Sequence, residues 1–428
     1  MKNEKSGFLG IPLSERGLLL GQEAEGAGGR VWAIERWLIA KLLQKLGNPS
    51  IAVRYWDGSL HEERYHPVMV TLKDRGALWR LFTNPFLNFG DDYSVGRIEV
   101  EGGLYNFLEA FYLAQLSGPD VHWQDDTLLG RLLRWQSSTL SACRNNIHHH
   151  YDLGNDFYRL WLDEEMAYTC AYFPHAEATL EQAQSAKLDH VCRKLQLKPG
   201  ETVVEAGCGW GGLARHMARH YGVKVRAFNI SKEQIAYARE RAKREGLDDR
   251  IEYVEDDYRN ISGQYDAFVS VGMLEHVGVE RYRTLGEVVA RSLVPHGRGL
   301  IHSIGQNQAK PVSEWTQRRI FPGGYPPTLR EMMEIFEPQG LSVLDVENLR
   351  LHYAKTLEHW LQRFEHHLES ITSMYDESFV RAWRLYLAAS QANFSAGTLQ
   401  LFQVLFAMPG KNDIAWTRAH LYQPPGEV

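Results

Sequence analysis

An acidic side chain followed by closely spaced glycines is the part of this sequence best suited to chemistry. The stretch TVVEAGCGWGG begins at Thr202 and leads through β-branched residues to Glu205, after which come Gly207, Gly209 and Gly212. The β-branched residues favour a buried strand, and apolar positions after the last glycine recur with helical spacing. Glycines let a backbone turn sharply and approach a ligand, while free amides at a helix N-terminus favour a negatively charged group. The stretch therefore predicts a strand, turn and helix that bind a nucleotide-like ligand.

Two kinds of cofactor site are compatible with these glycines. Dinucleotide sites share G-x-G-x-x-G but place an Asp or Glu about 20 residues further on, at the end of the second strand. Here the second strand lies in the stretch VKVRAFNIS and ends in the neutral Asn229. The acid is instead Glu205, which precedes the glycine turn. The pattern E-x-G-x-G-x-G resembles motif I of the S-adenosylmethionine-dependent methyltransferases, in which a carboxylate near the turn helps to place the cationic methionine end. The alternative is that Glu205 only orders the loop.

Three more polar side chains are expected at one sheet edge, because Asp257 follows the third strand, Glu275 the fourth, and His302 lies near the end of the fifth. Ligands of open α/β sheets bind at the carboxyl ends of the strands, and ionisable groups buried there are functional candidates. Asp257 could instead cap the next helix, and His302 could be a hydrogen-bonded core residue. Glu275 could pair with an arginine such as Arg281. The joint position of the three favours a functional role.

From Thr202 onward the chain alternates strands and helices, as a doubly wound sheet does. The strands are expected at TVVEA, VKVRAFN, IEYVEDD, AFVSVGM, GLIHSIG, LSVLDVENL and LQLFQVLFAM. Ser231 and Gln234 form a capping-box pattern at the start of the helix after the second strand. We expect an α/β fold, with a Rossmann-like S-adenosylmethionine methyltransferase sheet, helical additions and a smaller N-terminal α+β domain. The expected domains are residues 1–130, a linker helix at 131–150 and a catalytic domain at 151–428.

The composition is that of a globular protein. With 428 residues and 44% hydrophobic content, the chain exceeds the roughly 250–300 residues at which a single core stops growing. Its net charge of -6 argues against bulk electrostatic attraction to nucleic acid or anionic lipid. The four cysteines are scattered, the start is charged, and no run reaches about 18 apolar residues. We therefore expect a soluble, cytoplasmic protein without a signal peptide or a transmembrane segment.

No metal site is expected. The histidine run at 148–150 has no second cluster with suitable ligand spacing. In HEERYH, His61 and His66 are five residues apart, and on a helix that separation turns them by about 140°, away from a common face.

Seven sequence blocks follow one another in the second part of the chain: HYDLGNDFY from His150, YTCAYF from Tyr168, VEAGCGWGG from Val204, GMLEHVG from Gly272, HSIG from His302, RRIFPGGYPP from Arg318 and LRLHYAKTLEHW from Leu349. In this order they resemble the blocks of the cyclopropane fatty acid synthases and their mycolic acid relatives. The resemblance runs from about residue 146 to the C-terminus. The N-terminal stretch LFTNPFLNFGDDYSVGRIEVEGGLYNFLEA also resembles the longer bacterial members, though less distinctively.

The resemblance implies a reaction. Such an enzyme passes the sulfonium methyl group of S-adenosylmethionine to a cis double bond in the acyl chain of a membrane phospholipid, and loss of a proton closes a cyclopropane ring. An alkene is a poor nucleophile, and water would quench the cation, so orientation and a dry pocket must contribute much of the rate. Aromatic faces in these blocks could stabilise the positive charge, although packing explains most of them.

The same resemblance implies site residues. The positions expected to bind the cofactor are Tyr168, Glu205, Gly207, Gly209, Asn229, Gln234, Asp257 and Tyr258. The base in the family is a bicarbonate ion, and the matching positions are the Cys170 backbone, Glu275, His302, the Ile304 backbone and Tyr353. Glu275 would orient the bicarbonate proton, while His302 and Tyr353 would donate hydrogen bonds. The alternative for Cys170 is a covalent nucleophile, but the sequence shows no paired base.

Two helical segments bear on substrate delivery. Residues 31–46, VWAIERWLIAKLLQKL, have an amphipathic pattern that suits a bilayer surface or, as we favour, packing on their own domain. Residues 357–371 have the spacing of a buried helix face and are expected to cover the acyl pocket. The resemblance implies that the N-terminal domain engages lipid and assembles a homodimer. The expected partners are thus unsaturated phospholipids, met transiently as a peripheral protein on the inner face of the cell membrane, and no nucleic acid.

We therefore expect an S-adenosylmethionine-dependent C-methyltransferase that makes cyclopropane rings in unsaturated phospholipid acyl chains. One alternative is a related enzyme that resolves the same cation into a methylene or methyl branch, or methylates a furan-fatty-acid precursor. An alternative of a different class is a catalytically silent lipid carrier. The presence of Glu275, His302 and Tyr353 argues against the carrier.

Overall fold

The computed structural model of this chain describes residues 29–117 and 153–422. The linker helix predicted at 131–150, the histidine run at 148–150 and the start of the HYDLGNDFY block lie outside the described residues. The chain divides into two compact units, each built from separate segments. The first unit comprises Met1–Trp135, Val312–Pro322 and Leu357–Thr398, and the second comprises Gln136–Pro311, Gly323–Thr356 and Leu399–Val428. The predicted domain bounds, which are continuous in sequence, stay a prediction.

The helices and strands are named in chain order. The α-helices are α1 (Ala33–Lys45), α2 (Arg75–Thr83), α3 (Pro85–Ser94), α4 (Leu104–Ser117), α5 (Asn155–Arg159), α6 (Leu180–Leu195), α7 (Gly212–Tyr221), α8 (Lys232–Arg244), α9 (Tyr282–Ser292), α10 (Glu314–Arg319), α11 (Leu329–Phe336), α12 (Arg350–His366), α13 (Leu368–Met374) and α14 (Glu377–Ala396). The strands are β1 (Ala52–Arg54), β2 (Met69–Leu72), β3 (Ile98–Glu101), β4 (Thr202–Ala206), β5 (Lys224–Asn229), β6 (Ile251–Glu255), β7 (Tyr265–Val271), β8 (Leu293–Gln306), β9 (Ser342–Asn348) and β10 (Leu399–Ala407).

The second unit contains a seven-stranded sheet with the order β6-β5-β4-β7-β8-β10-β9. Strands β4 to β8 pair in parallel, while β10 is antiparallel to both β8 and β9. Each of the seven strands predicted from the sequence is present, and the predicted α/β fold with a Rossmann-like sheet is confirmed. Because the parallel strands carry helices on both faces, successive residues of β4 enter different cores. Val203 packs in one apolar cluster and Val204 in the other.

The predicted capping box at the start of α8 forms only in part. The Ser231 Oγ accepts a 3.4 Å hydrogen bond from the Gln234 amide nitrogen, which caps the helix. The Gln234 side chain does not return to Ser231, because its Oε1 accepts a 2.7 Å bond from Asn229 Nδ2. The Ser231 amide in turn donates to Asn229 Oδ1 at 3.2 Å. Asn229 is the last residue of β5, so these bonds tie a strand end to the next helix.

The first unit has a three-stranded sheet in the order β1-β2-β3, with β1 and β2 parallel and β2 and β3 antiparallel. Helix α14 packs against α3 and α4. Two arginines connect distant segments of this unit: Arg319 pairs with Asp91 at 2.9 Å, and Arg381 donates to the Tyr93 carbonyl oxygen at 2.7 Å. Buried guanidinium groups of this kind hold separate parts of a chain together when their donors are satisfied.

Helix α1 buries one side of its predicted amphipathic pattern, with Leu38, Ile39 and Leu42 in the interior. On its other side Trp32 and Trp37 are each more than half exposed. The segment predicted at 357–371 does have a buried face, but it consists of two helices, because α12 ends at His366 and α13 begins at Leu368. None of the helices in residues 29–117 and 153–422 has the length and apolar character needed to span a membrane.

Candidate active site

A cleft opens at the carboxyl ends of β4, β5, β6 and β7, within the second unit. Parallel strands end at a common edge, so residues far apart in sequence meet there. The eight residues predicted to bind the cofactor all line this cleft: Tyr168, Glu205, Gly207, Gly209, Asn229, Gln234, Asp257 and Tyr258. The structure thus brings the whole predicted cofactor set together.

The glycine turn after β4 presents its backbone to the cleft. Gly207 and Gly209 have φ angles of 83° and 52°, in the left-handed region that favours glycine. The amides of Gly207 and Cys208 both donate to the Phe228 carbonyl oxygen, at 2.9 and 3.0 Å, which fixes the turn against β5. A Cβ atom at Gly209 would meet no protein atom within 4 Å. The turn is therefore rigidly held and open to a ligand.

Glu205 is the second-to-last residue of β4, in a buried position that leaves one of its oxygens unused. The residue is 3% exposed, and its Oε2 has no hydrogen-bond partner among the described residues. Burial raises the pKa of Glu205 to about 8, with Lys187 and Arg215 acting in the opposite direction. A buried carboxylate oxygen without a partner is costly unless a ligand supplies a donor. The cationic amino group of S-adenosylmethionine is such a donor, so the residues present fit this cofactor.

Asp257 combines a structural role with a place in the cleft lining. Its Oδ1 accepts a 2.9 Å bond from the Arg259 amide and caps the short 3-10 helix Tyr258–Asn260. Its carboxylate also binds the Arg259 guanidinium at 2.7 and 2.9 Å. The helix cap considered from the sequence is therefore present. Asp257 still lines the cleft, and a ligand there would meet a carboxylate already neutralised by Arg259.

Aromatic rings form one wall of the cleft. Tyr168 lies against Tyr158 and Trp161, with ring centroids 5.5 and 5.3 Å apart. Tyr158 also contacts Trp210 at 5.1 Å, and Trp210 Nε1 donates to Asn155 Oδ1 at 2.7 Å. Tyr158 and Trp161 are fully buried. The packed rings hold Tyr168 in place and exclude water from that side.

The five residues predicted to hold a small anion do not line this cleft, but a series of contacts connects them beside it. The Gly272 amide, from the cleft lining, donates to the His302 carbonyl oxygen at 2.9 Å. Two residues further along β8, the Ile304 amide donates to Glu275 Oε1 at 2.6 Å. Ile304 pairs with Leu401 of β10, whose carbonyl oxygen accepts a bond from the Leu349 amide.

Leu349 connects the remaining two of the five. Its carbonyl oxygen accepts a 3.2 Å bond from the Tyr353 amide, one turn along α12, and lies 3.9 Å from Cys170 Sγ. Cys170 directly follows Tyr168 and Thr169 of the cleft lining. Glu275 and Ile304 are thus in direct contact, while Cys170 and Tyr353 are connected to Ile304 through Leu349 and Leu401; Cys170, His302 and Tyr353 are buried.

Two polar atoms of this group lack a partner within the described part of the chain: Glu275 Oε2 and His302 Nε2. The side-chain nitrogen of Gln403 lies 3.0 Å from His302 Nδ1. Because this nitrogen donates a hydrogen bond to Nδ1, the proton of the neutral imidazole is on His302 Nε2. Burial holds the pKa of His302 well below its usual range, and burial raises that of Glu275 to about 7. The site therefore presents a neutral imidazole donor and a carboxyl group that titrates near neutrality.

The Ile304 amide has a different partner from the one expected. The resemblance implies that this amide binds bicarbonate, whereas here it donates to Glu275 Oε1 at 2.6 Å. Bicarbonate offers one donor and several acceptor oxygens, which suit Glu275 Oε2 and the His302 Nε2–H respectively. The residues present therefore fit a small anion of this kind, with Ile304 orienting Glu275.

The Cys170 thiol is poorly suited to covalent catalysis. It is completely buried, and burial raises its pKa well above the usual value. Its Sγ donates to the Ala171 carbonyl oxygen at 3.2 Å. Because the thiolate is the nucleophilic form, a thiol that stays protonated favours a backbone role for this residue.

Sequence reasoning missed Lys187, which lines the cleft and is 2% exposed. Its Nζ donates to Thr169 Oγ1 at 2.8 Å. On the same face of α6, Gln184 Nε2 donates to the carbonyl oxygens of Ala167 and Thr169. The sequence did indicate that these two side chains are buried. Gln184 and Lys187 occupy helix positions that continue the apolar face begun by Leu180 and Ala183.

The predicted absence of a metal site stays a prediction. Residues 29–117 and 153–422 contain no group of three or more His, Cys, Asp or Glu side chains arranged to hold an ion. His61 instead lies 2.8 Å from the Tyr55 hydroxyl, and His66 lies 3.2 Å from the Ser50 hydroxyl.

Known protein families match two regions of the chain. The family described as mycolic acid cyclopropane synthetase matches residues 139–404, and a domain of unknown function matches residues 38–118. A probable fatty acid methyltransferase of Pseudomonas putida is 37% identical over 89% of this chain and 98% of that protein. The cyclopropane-fatty-acyl-phospholipid synthase of Escherichia coli K12 is 38% identical over 82% of this chain and 91% of that protein.

Among solved structures, a mycolic acid cyclopropane synthase complexed with SAH and CTAB superposes with a TM-score of 0.59 and 29% identity. The match covers 62% of this chain and 98% of that one. The cleft residues lie inside the region matched by the family, and that region exceeds half of the chain. The chain therefore belongs to the mycolic acid cyclopropane synthetase family and is an S-adenosylmethionine-dependent methyltransferase.

Proposed function

We propose that this chain adds the methyl carbon of S-adenosylmethionine across the cis double bond of an unsaturated phospholipid acyl chain and closes a cyclopropane ring, with bicarbonate as the base. The family and the cofactor cleft support methyl transfer. The phospholipid substrate follows the name of the Escherichia coli relative. Bicarbonate is supported by the two unpartnered atoms beside the cleft.

The atoms of this reaction balance without an added oxidant or reductant. The alkene electron pair forms a bond to the methyl carbon as the carbon–sulfur bond breaks, and the sulfur keeps those electrons. Loss of one proton from the transferred carbon leaves the electron pair that closes the ring. S-adenosylmethionine supplies the electrophilic methyl group, and bicarbonate supplies the base.

The chain's own residues contribute placement and a dry environment. The glycine turn and Glu205 would hold the cofactor. The buried rings behind Tyr168 exclude water, and Tyr168 itself lines the cleft, where an aromatic face stabilises developing positive charge. The Ile304 amide holds Glu275, whose remaining oxygen would accept a hydrogen bond from bicarbonate. His302 would donate from Nε2 to a bicarbonate oxygen, and the bound ion would supply the base.

One observation carries the base assignment. Glu275 Oε2 and His302 Nε2, one acceptor and one donor, are both buried without partners inside the described part of the chain. Burying both is expensive unless a small group satisfies them. An ion that is both donor and acceptor does so, and a small anion avoids the risk that a side-chain carboxylate would itself be alkylated.

The test is the product. Purified protein is incubated with S-adenosylmethionine and vesicles of a phospholipid with cis-monounsaturated chains, with and without bicarbonate, and the lipids are analysed by mass spectrometry and proton NMR. We expect acyl chains heavier by one CH2, loss of the alkene signal, upfield ring protons and slower turnover without bicarbonate. Vinylidene protons or a saturated methyl branch would contradict ring closure.

A second candidate is a C-methyltransferase that gives methylene- or methyl-branched fatty acids or methylates a furan precursor. The observation in its favour is the relative from Pseudomonas putida, a probable fatty acid methyltransferase that aligns with 89% of this chain. The same NMR spectra distinguish the two candidates. A non-catalytic lipid-binding relative would give vesicle binding with no methylated product at all.

Peripheral membrane association and a homodimer are part of the proposal. The exposed Trp32, which precedes α1, and the exposed Trp37 of α1 suit the interface of a bilayer, together with Lys41 and Lys45 of the same helix. Cosedimentation with vesicles and light scattering after size-exclusion chromatography test the two statements separately. A protein that stays in the supernatant would contradict membrane association, and a protein that elutes as a monomer would contradict the homodimer.

A further inference from the structure

Lys187 is a buried ammonium group that the proposed mechanism does not use. It lies on the inner face of α6, is 2% exposed and lines the cofactor cleft. Its Nζ donates to the neutral Thr169 hydroxyl at 2.8 Å and forms no ion pair with the other described residues. Burial of a lysine without a bonded carboxylate is unfavourable, and it lowers the pKa of Lys187 to about 8.

The carboxylates near Lys187 differ in their availability. Asp163 accepts from the amides of Glu165 and Ala167 at 3.0 and 2.8 Å, so its oxygens are used to shape the loop. Glu205 lines the same cleft as Lys187, and its Oε2 has no partner among residues 29–117 and 153–422. The cleft lining therefore includes an amino group and a carboxyl group that are not bonded to each other.

A ligand group that carries both charges would satisfy both residues. The methionine end of S-adenosylmethionine is an α-amino acid, with an ammonium and a carboxylate on the same carbon. We propose that Lys187 binds the carboxylate of this end while Glu205 binds its ammonium, so that the two residues select cofactors with an intact amino-acid end. This inference rests on the proposed function, because it takes S-adenosylmethionine as the cofactor. It adds Lys187 as the residue that recognises the carboxylate of the cofactor's amino-acid end.

The surrounding structure holds the lysine in position for this role. Gln184, one turn earlier on α6, donates to the carbonyl oxygens of Ala167 and Thr169 at 3.2 and 2.9 Å. The loop that carries Tyr168 is thereby tied to the helix that carries Lys187. Elsewhere in the cleft lining, Asn229 at the end of β5 and Gln234 in the first turn of α8 bond to each other and would offer neutral groups to the nucleoside part. Charge is thus provided where the amino-acid part would lie.

The test compares two ligands that differ only in the amino-acid part. S-adenosylhomocysteine has it, whereas 5′-methylthioadenosine keeps the nucleoside and the sulfur but lacks it. Calorimetric titrations with both ligands are made on the wild-type protein, on Lys187→Met and on Lys194→Met. Lys194 is a matched control because it is a buried lysine of the same helix that is ion-paired with Glu347 at 2.7 Å and does not line the cleft.

We expect Lys187→Met to weaken S-adenosylhomocysteine binding by about 10- to 100-fold and to change 5′-methylthioadenosine binding by less than about twofold. Lys194→Met should change both affinities equally. Equal weakening of both ligands by Lys187→Met, or no weakening, would overturn the inference, because a structural role does not discriminate between them. If Lys187→Met fails to fold, Lys187→Gln, which keeps a donor for Thr169, is required to show the same discrimination. A wild-type protein that binds neither ligand would overturn the proposed function itself.

Discussion

The backbone amide of Ile304 donates a 2.6 Å hydrogen bond to Glu275 Oε1. The bond joins a residue of β8 to the short helix after β7, two segments that meet only because their strands pair in parallel. It uses one carboxyl oxygen of Glu275 and directs the group, while Oε2 has no partner in the described part of the chain. The carboxyl group is thus oriented before any ligand binds.

Replacement of Glu275 by glutamine should stop turnover without preventing cofactor binding. The amide cannot carry the negative charge that would accept the bicarbonate proton, and one of its two orientations places an NH2 group against the Ile304 amide. We expect a loss of at least about 100-fold in the rate of methyl transfer. Titration with S-adenosylhomocysteine should give an affinity within about threefold of wild type. Unchanged activity would refute the assigned role.

The pH dependence of stability should also change in the Glu275→Gln variant. Burial raises the pKa of Glu275 from 4.5 to about 7, so the folded protein binds more protons than the unfolded chain between these values. The contribution of Glu275 to stability is therefore present below pH 4.5 and is lost as the pH rises through 7. Each pKa unit corresponds to about 1.4 kcal/mol.

Urea unfolding of wild type and variant between pH 5 and 8 measures this effect. We expect the free energy of unfolding of the wild type to fall relative to Glu275→Gln by about 2 kcal/mol as the pH rises across this range. A difference that stays constant with pH would show that Glu275 is not protonated more readily in the folded state.

Replacement of Cys170 by alanine should leave catalysis largely intact. Burial keeps the thiol protonated, and the proposed contribution of this residue is its backbone. We expect turnover within about threefold of wild type and a loss of about 1–2 kcal/mol in stability from the small cavity. Activity and urea unfolding of the variant are measured together. A folded variant that has lost more than about 100-fold in rate would instead indicate a role for the sulfur.

Alanine substitutions at Gly207 and Gly209 should have different effects on the stability of the protein and on its affinity for the cofactor. At Gly207, a Cβ atom would lie 2.8 Å from the Met273 Cβ, so Gly207→Ala should lower the free energy of unfolding by about 3 kcal/mol. At Gly209 the added methyl meets no protein atom, so the cost should be about 1 kcal/mol. The methyl group enters the cleft, however, and we expect S-adenosylhomocysteine affinity to fall at least about tenfold.

Gly246→Ala is the control for the Gly209 variant. Gly246 also has a positive φ, 66°, and a Cβ there would meet no atom within 4 Å, but it does not line the cleft. Thermal unfolding and calorimetric titration of the two variants should show similar destabilisation and different affinities. Equal affinities would place the cofactor away from the glycine turn.

The exposed tryptophans of α1 should contribute to membrane binding. Trp32 and Trp37 are 58% and 52% exposed, and indole rings favour the bilayer interface. We expect the double variant Trp32→Ala/Trp37→Ala to bind phospholipid vesicles at least about fivefold more weakly, with the rate on detergent-dispersed lipid unchanged within about twofold. Trp416→Ala, at a fully exposed tryptophan of the other unit, is the control. Equal vesicle binding by all three proteins would contradict a role for α1.

The sequence predicted the sheet and the cofactor cleft well because both depend on short-range patterns. Apolar runs of strand length, separated by helical spacing, indicate where parallel strands lie. Once the strands are known, the residues at or just beyond each carboxyl end belong to the common edge, which explains why Glu205, Asn229 and Asp257 reach one cleft. The capping pattern at Ser231 was less reliable, because Gln234 had a competing partner in Asn229 from the preceding strand.

The partner of each polar atom could not be predicted in the same way. The packing of distant strands and helices brings the Ile304 amide to Glu275 and the Gln403 side chain to His302. It also leaves Glu205 and His302 with one atom each that has no partner in the described part of the chain. Lys187 is the clearest example, because its position on a buried helix face was visible in the sequence while its approach to Thr169 was not.

By itself the sequence determined the order of strands and helices, the glycine turn and the identities of the residues at the strand ends, since these follow from local side-chain shape and apolar periodicity. Only the tertiary structure decided which polar atoms bond to each other, which stay buried without a partner among the described residues, and which lysine lines the same cleft as Glu205. Hydrogen bonding and desolvation act over a few ångströms in space, and those distances arise when segments far apart in the chain pack together.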